Sequence, residues 1–489
     1  MEENIKSILD NFEQINAIPR CSKNEAQIGL WLKQWAETKQ LATKMDAAGN
    51  LLVKVPPTPG YENGPVIVIQ GHTDMVCEKT PDSTHDFSND PIRNIIDGDW
   101  LRAENTTLGA DNGIAIALAM AVANDERIAH PPLELLFTVD EETGLNGAKA
   151  LEPEFIEGRV LLNVDSETEG VFTVGCAGGR HTLISRKLTL TELAEKSQLF
   201  NLNICGLHGG HSGIDIIKQR ASANKILART LHQLTVAGDI QLVSIKGGTA
   251  HNAIARDADA VFAFTSENSG DLAKLVSEFE RTIQTDYASI ESNLAIKLLA
   301  VESTAHKKAA LSVAETRHVI NLLLSLPHGV MGMSAVFTDL VETSNNLATV
   351  EIKDGTLQIL TSQRSLTSSR LDEITNSIRA TATIAGTDIR SDSEYPPWTP
   401  NMQSTLLELC RKIYQQVFDQ EAEVKSVHAG LECAIIGNKY EGMDMISFGP
   451  DLRDPHSPNE GLHIPSLGKV WQFMVALLES YGSKQLFRV

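Results

Sequence analysis

The chain has 489 residues, 42% of them apolar and 21% charged, and its 42 Lys+Arg against 63 Asp+Glu give a formal net charge of −21. Its length exceeds one ordinary core and predicts two or more domains of a soluble globular protein. The acidic balance excludes nucleic acid and anionic membrane as main partners, since both require a basic footprint.

The opening "MEENIKSILDNF" is acidic and amphipathic, with neither the basic start nor the apolar core of a signal peptide, which predicts a cytoplasmic location. The longest apolar stretch, "GIAIALAMAVA" at 113–123, falls short of the roughly 20 residues that cross a bilayer and reads as a buried Ala-rich helix. Cys21, Cys77, Cys176, Cys205, Cys410 and Cys433 are scattered without a C-x-x-C pair, which predicts reduced thiols and neither a disulfide framework nor a zinc ribbon.

From Leu30 to Gly179 helical and extended patterns alternate. "VIVIQ" (66–70), "LELLFTV" (133–139) and "VLLNV" (160–164) predict short strands buried on both faces, with helices over 110–125 and 147–155 between them. That order predicts a mostly parallel sheet in an α/β layer fold. The glycine-rich "TVGCAGGR" (173–180) is a candidate hinge. From about 181 to 395 strands such as "LFNLNICGL" and "ADAVFAFT" mix with helices such as "RASANKILARTLHQL". There "GTAHNAIARDADAVFAF" (248–264) can be laid against "ETSNNLATVEIKDGTLQIL" (342–360), a faint internal repeat that aligns Asn252 with Asn346. The Pro-rich "SEYPPWTPNM" (393–402) marks a second boundary, and the remainder returns to α/β texture, closing on a helix over 466–481.

The three predicted strands share an oddity: the first runs into "GHTD", the second into "DEE", and the third ends at Asp165. Sites in open α/β sheets form beyond the carboxyl ends of strands, and here those ends carry His72, Asp74, Asp140, Glu141, Glu142 and Asp165. Asp111 heads the Ala-rich helix, where a negative group suits the helix dipole. Arg and Lys are absent from these turns, so one or two divalent cations are the obvious counter-charge. His72 and Asp74, two apart, leave the same face of an extended chain, which suits a ligand imidazole whose other nitrogen is held by a carboxylate. Glu141 and Glu142 diverge if extended, so one can bind metal while the other faces substrate. Each feature alone has a plainer reading: a satisfied core histidine, a solvated acidic turn, a helix cap. The chain lacks both G-x-x-x-x-G-K-[ST] and a strand-turn-helix G-x-G-x-x-G, which disfavours a nucleotide enzyme.

"GHTDMV" (71–76), "LGADNGIAIALA" (108–119), "DEETGLNGAK" (140–149), "LLNVDSE" (161–167), "GGHSG" (209–213) and "EGLHIPS" (460–466) occur in this order. Together they resemble the co-catalytic zinc peptidase family that includes glutamate carboxypeptidases, aminoacylases and carnosinases, over nearly the whole chain and most closely its bacterial branch acting on Xaa-His dipeptides. The resemblance implies two Zn²⁺ per chain, for which Co²⁺ or Mn²⁺ can substitute. His72 and Asp165 would bind one metal, Glu142 and His463 the other, and Asp111 would bridge both through a residue with a cis peptide bond to Asn112. Glu141 would be the general base, Asp74 would orient His72, and Asp140 would be structural. The implied catalytic domain is 1–179 with 399–489, and 180–398 is an inserted α+β lid, with two similar halves if the faint repeat holds. In the lid His211 would stabilise the oxyanion, while Asn252 and Arg364 would hold the substrate's C-terminal carboxylate. Gly430, in the "HAGLE" loop, would allow close backbone approach. Plainer readings stand beside these: His208 competes with His211, Arg364 as a surface charge, Asn252 as a turn residue.

The activity implied is hydrolysis of small dipeptides, preferentially Xaa-His and including β-alanyl-histidine (carnosine), by hydroxide generated at the metals. The alternative within the family is a broader dipeptidase or an N-acyl amino acid deacylase. A metal-stabilised binding protein that has lost catalysis is a different class, and Glu141 argues against it, because a binding protein needs no base beside its ligands. The family also implies a homodimer, with a monomer made self-sufficient by a duplicated lid as the alternative.

Overall fold

The short apolar runs form strands because both their faces are covered: Ile67–His72 and Leu133–Thr138 are buried at every residue. These elements are seen in a computed structural model, which describes residues 2–193, 197–264, 270–301 and 309–482. The chain divides into two units, one of 1–176, 398–426 and 431–489, the other of 177–397 and 427–430. The short segment 427–430, expected to lie with the catalytic domain, joins the second unit because Ala177 N donates to Val427 O at 3.0 Å.

The first unit is built on an eight-stranded sheet in the order Ala42–Met45, Leu51–Val55, Leu133–Thr138, Ile67–His72, Val160–Asn163, Asp444–Ser447, Val171–Cys176, Glu423–Val427. Only the central four are mutually parallel. The sheet is therefore mixed, because Ala42–Met45, Leu51–Val55 and Leu133–Thr138 pair antiparallel on one flank and Asp444–Ser447 meets Val171–Cys176 antiparallel on the other. The helix Ala110–Asn124 lies against Ile67–His72 and against Glu2–Asn16. Gly71 permits this seat, since a Cβ there would lie 2.4 Å from Asn112 Oδ1 and 2.6 Å from Ala115 Cβ. The glycine of "GHTD" thus lets the head of the helix, with Asp111, come down on the strand end that carries His72.

The second unit carries a nine-stranded sheet whose described pairs are all antiparallel. Eight of its strands belong to two β-α-β-β-α-β halves, and the ninth, Gly329–Met333, pairs with Val341–Lys353. One runs Gln198–Cys205, Ala223–Ala237, Ile240–Gly247, Ala258–Phe264, Gly270–Asp286, Ala295–Val301. The other runs Gly178–Lys187, Val313–Ser325, Val341–Lys353, Thr356–Ser365, Ser368–Ile384, Asp388–Tyr395. The halves meet through Lys246↔Glu351 and Gly247↔Val350 and share one apolar core that includes Leu202, Leu231, Phe262, Leu323 and Ile359. The alignment of Asn252 with Asn346 misses this correspondence by several residues. Ala258–Phe264 is equivalent to Thr356–Ser365 by position in the fold, Asn252 is an exposed turn residue, and Asn346 is buried in a strand.

Two cysteines depart from expectation. Cys21 and Cys77, 56 positions apart in sequence, form a disulfide with Cα atoms 5.7 Å apart. The segment at Cys21 runs beside Met75, with Met75 N donating to Arg20 O at 3.1 Å and Ser22 N to Met75 O at 3.4 Å, which brings the sulfurs together. Cys176, Cys205, Cys410 and Cys433 are not disulfide-bonded. Among the described residues no helix is long and apolar enough to cross a membrane.

Candidate metal centre

Three neighbouring parallel strands, Leu133–Thr138, Ile67–His72 and Val160–Asn163, bring their carboxyl ends to one edge of the sheet. His72 closes its strand and is 1% exposed, and Asp74 is 0% exposed. His72 Nδ1 lies 3.3 Å from Asp74 Oδ1, while Nε2 lies 3.1 Å from Asp111 Oδ1 and 3.5 Å from Asp165 Oδ1. Asp111 has non-helical dihedrals inside the first turn of its helix and a cis peptide bond to Asn112. Its second oxygen, Oδ2, is 3.1 Å from Nε2 of His456, and that same Nε2 is 3.0 Å from Glu142 Oε1. The Glu142 contact is a close ion pair without hydrogen-bond alignment, for Oε1 has no hydrogen-bond partner. Asp111 therefore stands between two imidazoles, with Asp165 beside the first and Glu142 beside the second.

Asp74 does more than face His72. Its carboxylate also accepts from Ser22 Oγ at 2.8 Å and from the backbone N–H groups of Glu141 and Glu142 at 3.0 and 3.2 Å. Burial opposes its charge, yet His72, the Glu141 amide and Ser22 hold its pKa down to about 2. One buried anion thus fixes the first histidine and the backbone of both adjacent glutamates, which settles how the "DEE" turn is aimed. Asp140, with φ 49°, takes Thr143 Oγ1 at 2.6 Å and Asn146 Nδ2 at 2.7 Å and serves its own turn.

Burial, reinforced by Asp165, Glu142 and Glu432 and opposed by His72, pushes Glu141 well above the usual carboxylate range. Burial raises Asp165 to about 6 against the pull of His72. Burial also works against a charged His72, but Asp111, Asp165 and Asp74 drive its pKa well up, and Asp111 and then Glu142 push His456 up to about 11. Both imidazoles thus lie among carboxylates that favour positive charge at this place. Arg20, buried nearby, directs its donors to the carbonyls of Thr73, Asp74 and Gly109 and to Asn16, not to these carboxylates. Donor atoms of His72, Asp111 and Asp165 lie within 4.8 Å of one another, as do those of Asp111, Glu142 and His456. Imidazole nitrogens and carboxylate oxygens at such spacing, sharing one aspartate, fit a pair of zinc-like divalent cations.

The expectation for His463 is corrected. His463 ends the strand Gly461–His463, opposite Trp100. Its ring lies 5.0 Å from that indole and its Nδ1 3.6 Å from Asp451 Oδ2, and it joins neither donor group. His456 stands beside Asp111 and Glu142 instead, in a loop "RDPHSPNE" that turns through positive φ at Asp454 (46°) and His456 (60°). No sequence pattern separates these two histidines.

The lid candidates belong to the second unit. His211 pairs with Ala253, and its Nδ1 accepts from Gly213 N at 3.3 Å and Ile214 N at 3.1 Å, so the neutral ring carries its proton on Nε2. His208 binds buried Glu291 instead, at 2.9 Å. Arg364 is buried, donating from Nη1 to Tyr395 Oη at 2.8 Å while Nε lacks a hydrogen-bond partner. Asn252 is exposed, and its backbone carbonyl accepts from Ser212 N at 2.7 Å. The close approach expected over Gly430 is made by this unit's own Tyr395 ring, 2.8 Å from where a Cβ would sit. Sequence reasoning did not single out His428, whose Nε2 lies 2.7 Å from Ser344 Oγ and whose pKa burial, Arg364 and His211 hold near 3.

Comparison with known proteins follows the same lines. Residues 68–480 match the model of peptidase family M20/M25/M40. The chain is 38% identical to the cytosol non-specific dipeptidase of Escherichia coli (strain K12) over 475 residues, 97% of each chain. Among solved structures it resembles the aminoacylhistidine dipeptidase of Vibrio alginolyticus with a TM-score of 0.87 and 36% identity, covering 97% of this chain and 96% of that one. The aminopeptidase PepT of Bacillus cereus shares the fold at a TM-score of 0.57 and 16% identity, over 98% and 99% of the two chains.

Proposed function

We propose a function from one premise: the chain belongs to peptidase family M20/M25/M40 and is a peptidase. Its substrates are dipeptides, with Xaa-His compounds such as β-alanyl-histidine preferred, cleaved at a pair of Zn²⁺ held by His72, Asp111, Asp165, Glu142 and His456. The observation that carries this reading is the placement of Asp111 between His72 and His456, 3.1 Å from each.

Bound metals supply Lewis-acid activation of water and of the scissile carbonyl. The chain's own residues do the rest. Glu141, unlike Glu142, belongs to no ion pair with His456, and it takes the proton of the attacking water and returns it to the departing amine. Asp74 holds the His72 ring and the backbone of the base together. His211 presents Nε2–H to the developing oxyanion, and Arg364 with Asn252 engages the substrate carboxylate.

Glu141→Gln tests the assignment: full metal content with turnover lower by about 10²- to 10⁴-fold is expected. Retained turnover removes Glu141 from the reaction. The name of the Escherichia coli relative favours a second reading, a dipeptidase of broad side-chain tolerance. Rates on β-alanyl-histidine, other dipeptides, tripeptides and N-acetyl amino acids separate the readings. Equal rates across dipeptides support the broad one, and preference for the acylated compounds supports a deacylase. A cytoplasmic location and a homodimer complete the proposal, the latter tested by light scattering of the eluting protein.

A further inference from the structure

Two buried, oppositely charged side chains grip the turn that delivers Asp111, and neither is a metal ligand. Glu460, 2% exposed, receives four successive backbone amides: Oε2 takes Leu108 N at 2.7 Å and Gly109 N at 2.9 Å, and Oε1 takes Ala110 N at 2.8 Å and Asp111 N at 3.3 Å. Such convergence of amides on one anion needs a left-handed residue in the turn, and Gly109 provides it with φ 70°. Arg20, 1% exposed, donates from Nη1 to Thr73 O at 3.2 Å and Asp74 O at 3.3 Å, and from Nη2 to Gly109 O. A Cβ on Gly109 would fall 2.3 Å from Arg20 Nη2, and one on Gly113 2.6 Å, so both glycines make room for the guanidinium.

The connections have a direction. Arg20 ties the turn after His72 to the turn before Asp111. Glu460 ties that second turn to its own loop, four residues beyond His456. The three segments that carry the shared carboxylate and the two imidazoles are thus locked through backbone groups, while the ligand side chains stay free for the cations. We infer that Arg20 and Glu460 are positioning residues of the metal centre, setting the seat of Asp111 between His72 and His456. The inference rests on the dinuclear reading above.

The test compares wild type, Glu460→Gln and Arg20→Lys. Glutamine offers one oxygen where four amides converge and turns its own N–H donors toward the rest. Lysine keeps the charge and loses the fork. Each chelator-treated protein is checked for folding by circular dichroism, then titrated with Co²⁺ while the visible spectrum, which reports coordination geometry, is followed. The expected result is an altered Co²⁺ spectrum and an affinity weaker by about ten- to a hundredfold in folded variants, the size of effect supporting partners of metal ligands have. If one variant does not fold, the other decides. Folded variants with wild-type spectrum and affinity overturn the inference and leave the metal reading intact, as does failure of both to fold, which makes the two residues structural only. A wild type that takes up no Co²⁺ overturns the metal reading and this inference with it.

Discussion

Replacing His456 with alanine, beside the same change at His463, tests which histidine serves the second metal position. The His456 side chain is 49% exposed and its close contacts are Asp111 and Glu142, so its loss removes little packing. Folding stability is expected to change by about 1 kcal/mol or less. The effect on cations is larger. Without His456 the second position keeps Glu142 and the shared Asp111, two protein donors in place of three. Their oxygens lie no more than 4.8 Å apart, which at an effective dielectric of about 20 leaves roughly 3 kcal/mol of uncompensated repulsion, relieved by binding a proton where a metal should sit. A loss of at least about a hundredfold in affinity for one of two zinc ions follows, equivalent to about 2.8 kcal/mol. His463→Ala loses its packing on Trp100 and should keep both ions. Metal content after dialysis at graded free zinc, measured by mass spectrometry, reads the difference. One ion lost from His463→Ala with two retained in His456→Ala would refute the reasoning.

Three further outcomes are expected. Reducing Cys21–Cys77, or replacing both with serine, releases a cross-link spanning 56 residues and should lower the first guanidinium unfolding transition by up to about 4 kcal/mol; equal stability with and without reductant counts against it. His328 is buried beside Lys225, and burial, then that charge, hold its pKa down to about 4 from 6.5. The unfolded chain therefore takes up this proton first as pH falls. The contribution is full above pH 6.5 and is lost on the way down through about pH 4, a total of about 3 kcal/mol relative to His328→Gln in chemical denaturation. A variant-to-wild-type difference that stays flat over that window is the contrary result. Arg364→Met should raise KM for dipeptides by about ten- to a hundredfold, the worth of a hydrogen bond to a charged group, with a smaller change in kcat, and an unmoved KM would take Arg364 out of carboxylate binding.

How much of this was legible in the sequence depends on whether a residue's position follows from its own strand or from a distant one. His72, Asp111, Glu142 and Asp165 were legible because each sits at the end or head of an element whose apolar pattern marks it, and parallel neighbours bring such ends together without further information. The lid's two halves were legible only faintly. Equivalent strands need equivalent apolar alternation, not the same residues, so the shared asparagine aligns the halves several residues out of register. His456 and Cys21–Cys77 were not legible. Each depends on where a loop turns relative to another segment far away in the chain, and one histidine in "RDPHSPNEGLHIPS" carries no mark to rank it above the other.

Glu460 shows why that ranking is decided by the backbone. A carboxylate that collects the amides of 108–111 fixes the distance from its own Cα to the head of the Asp111 helix. A histidine four residues earlier, in a loop turning through positive φ, can then swing back to Asp111. A histidine three residues later is already committed to the strand beside Trp100. On the dinuclear reading, the histidine that meets Asp111 is thus set by which residue the anchored loop can return, and Glu460, outwardly one more of the chain's 63 acids, is what anchors that loop.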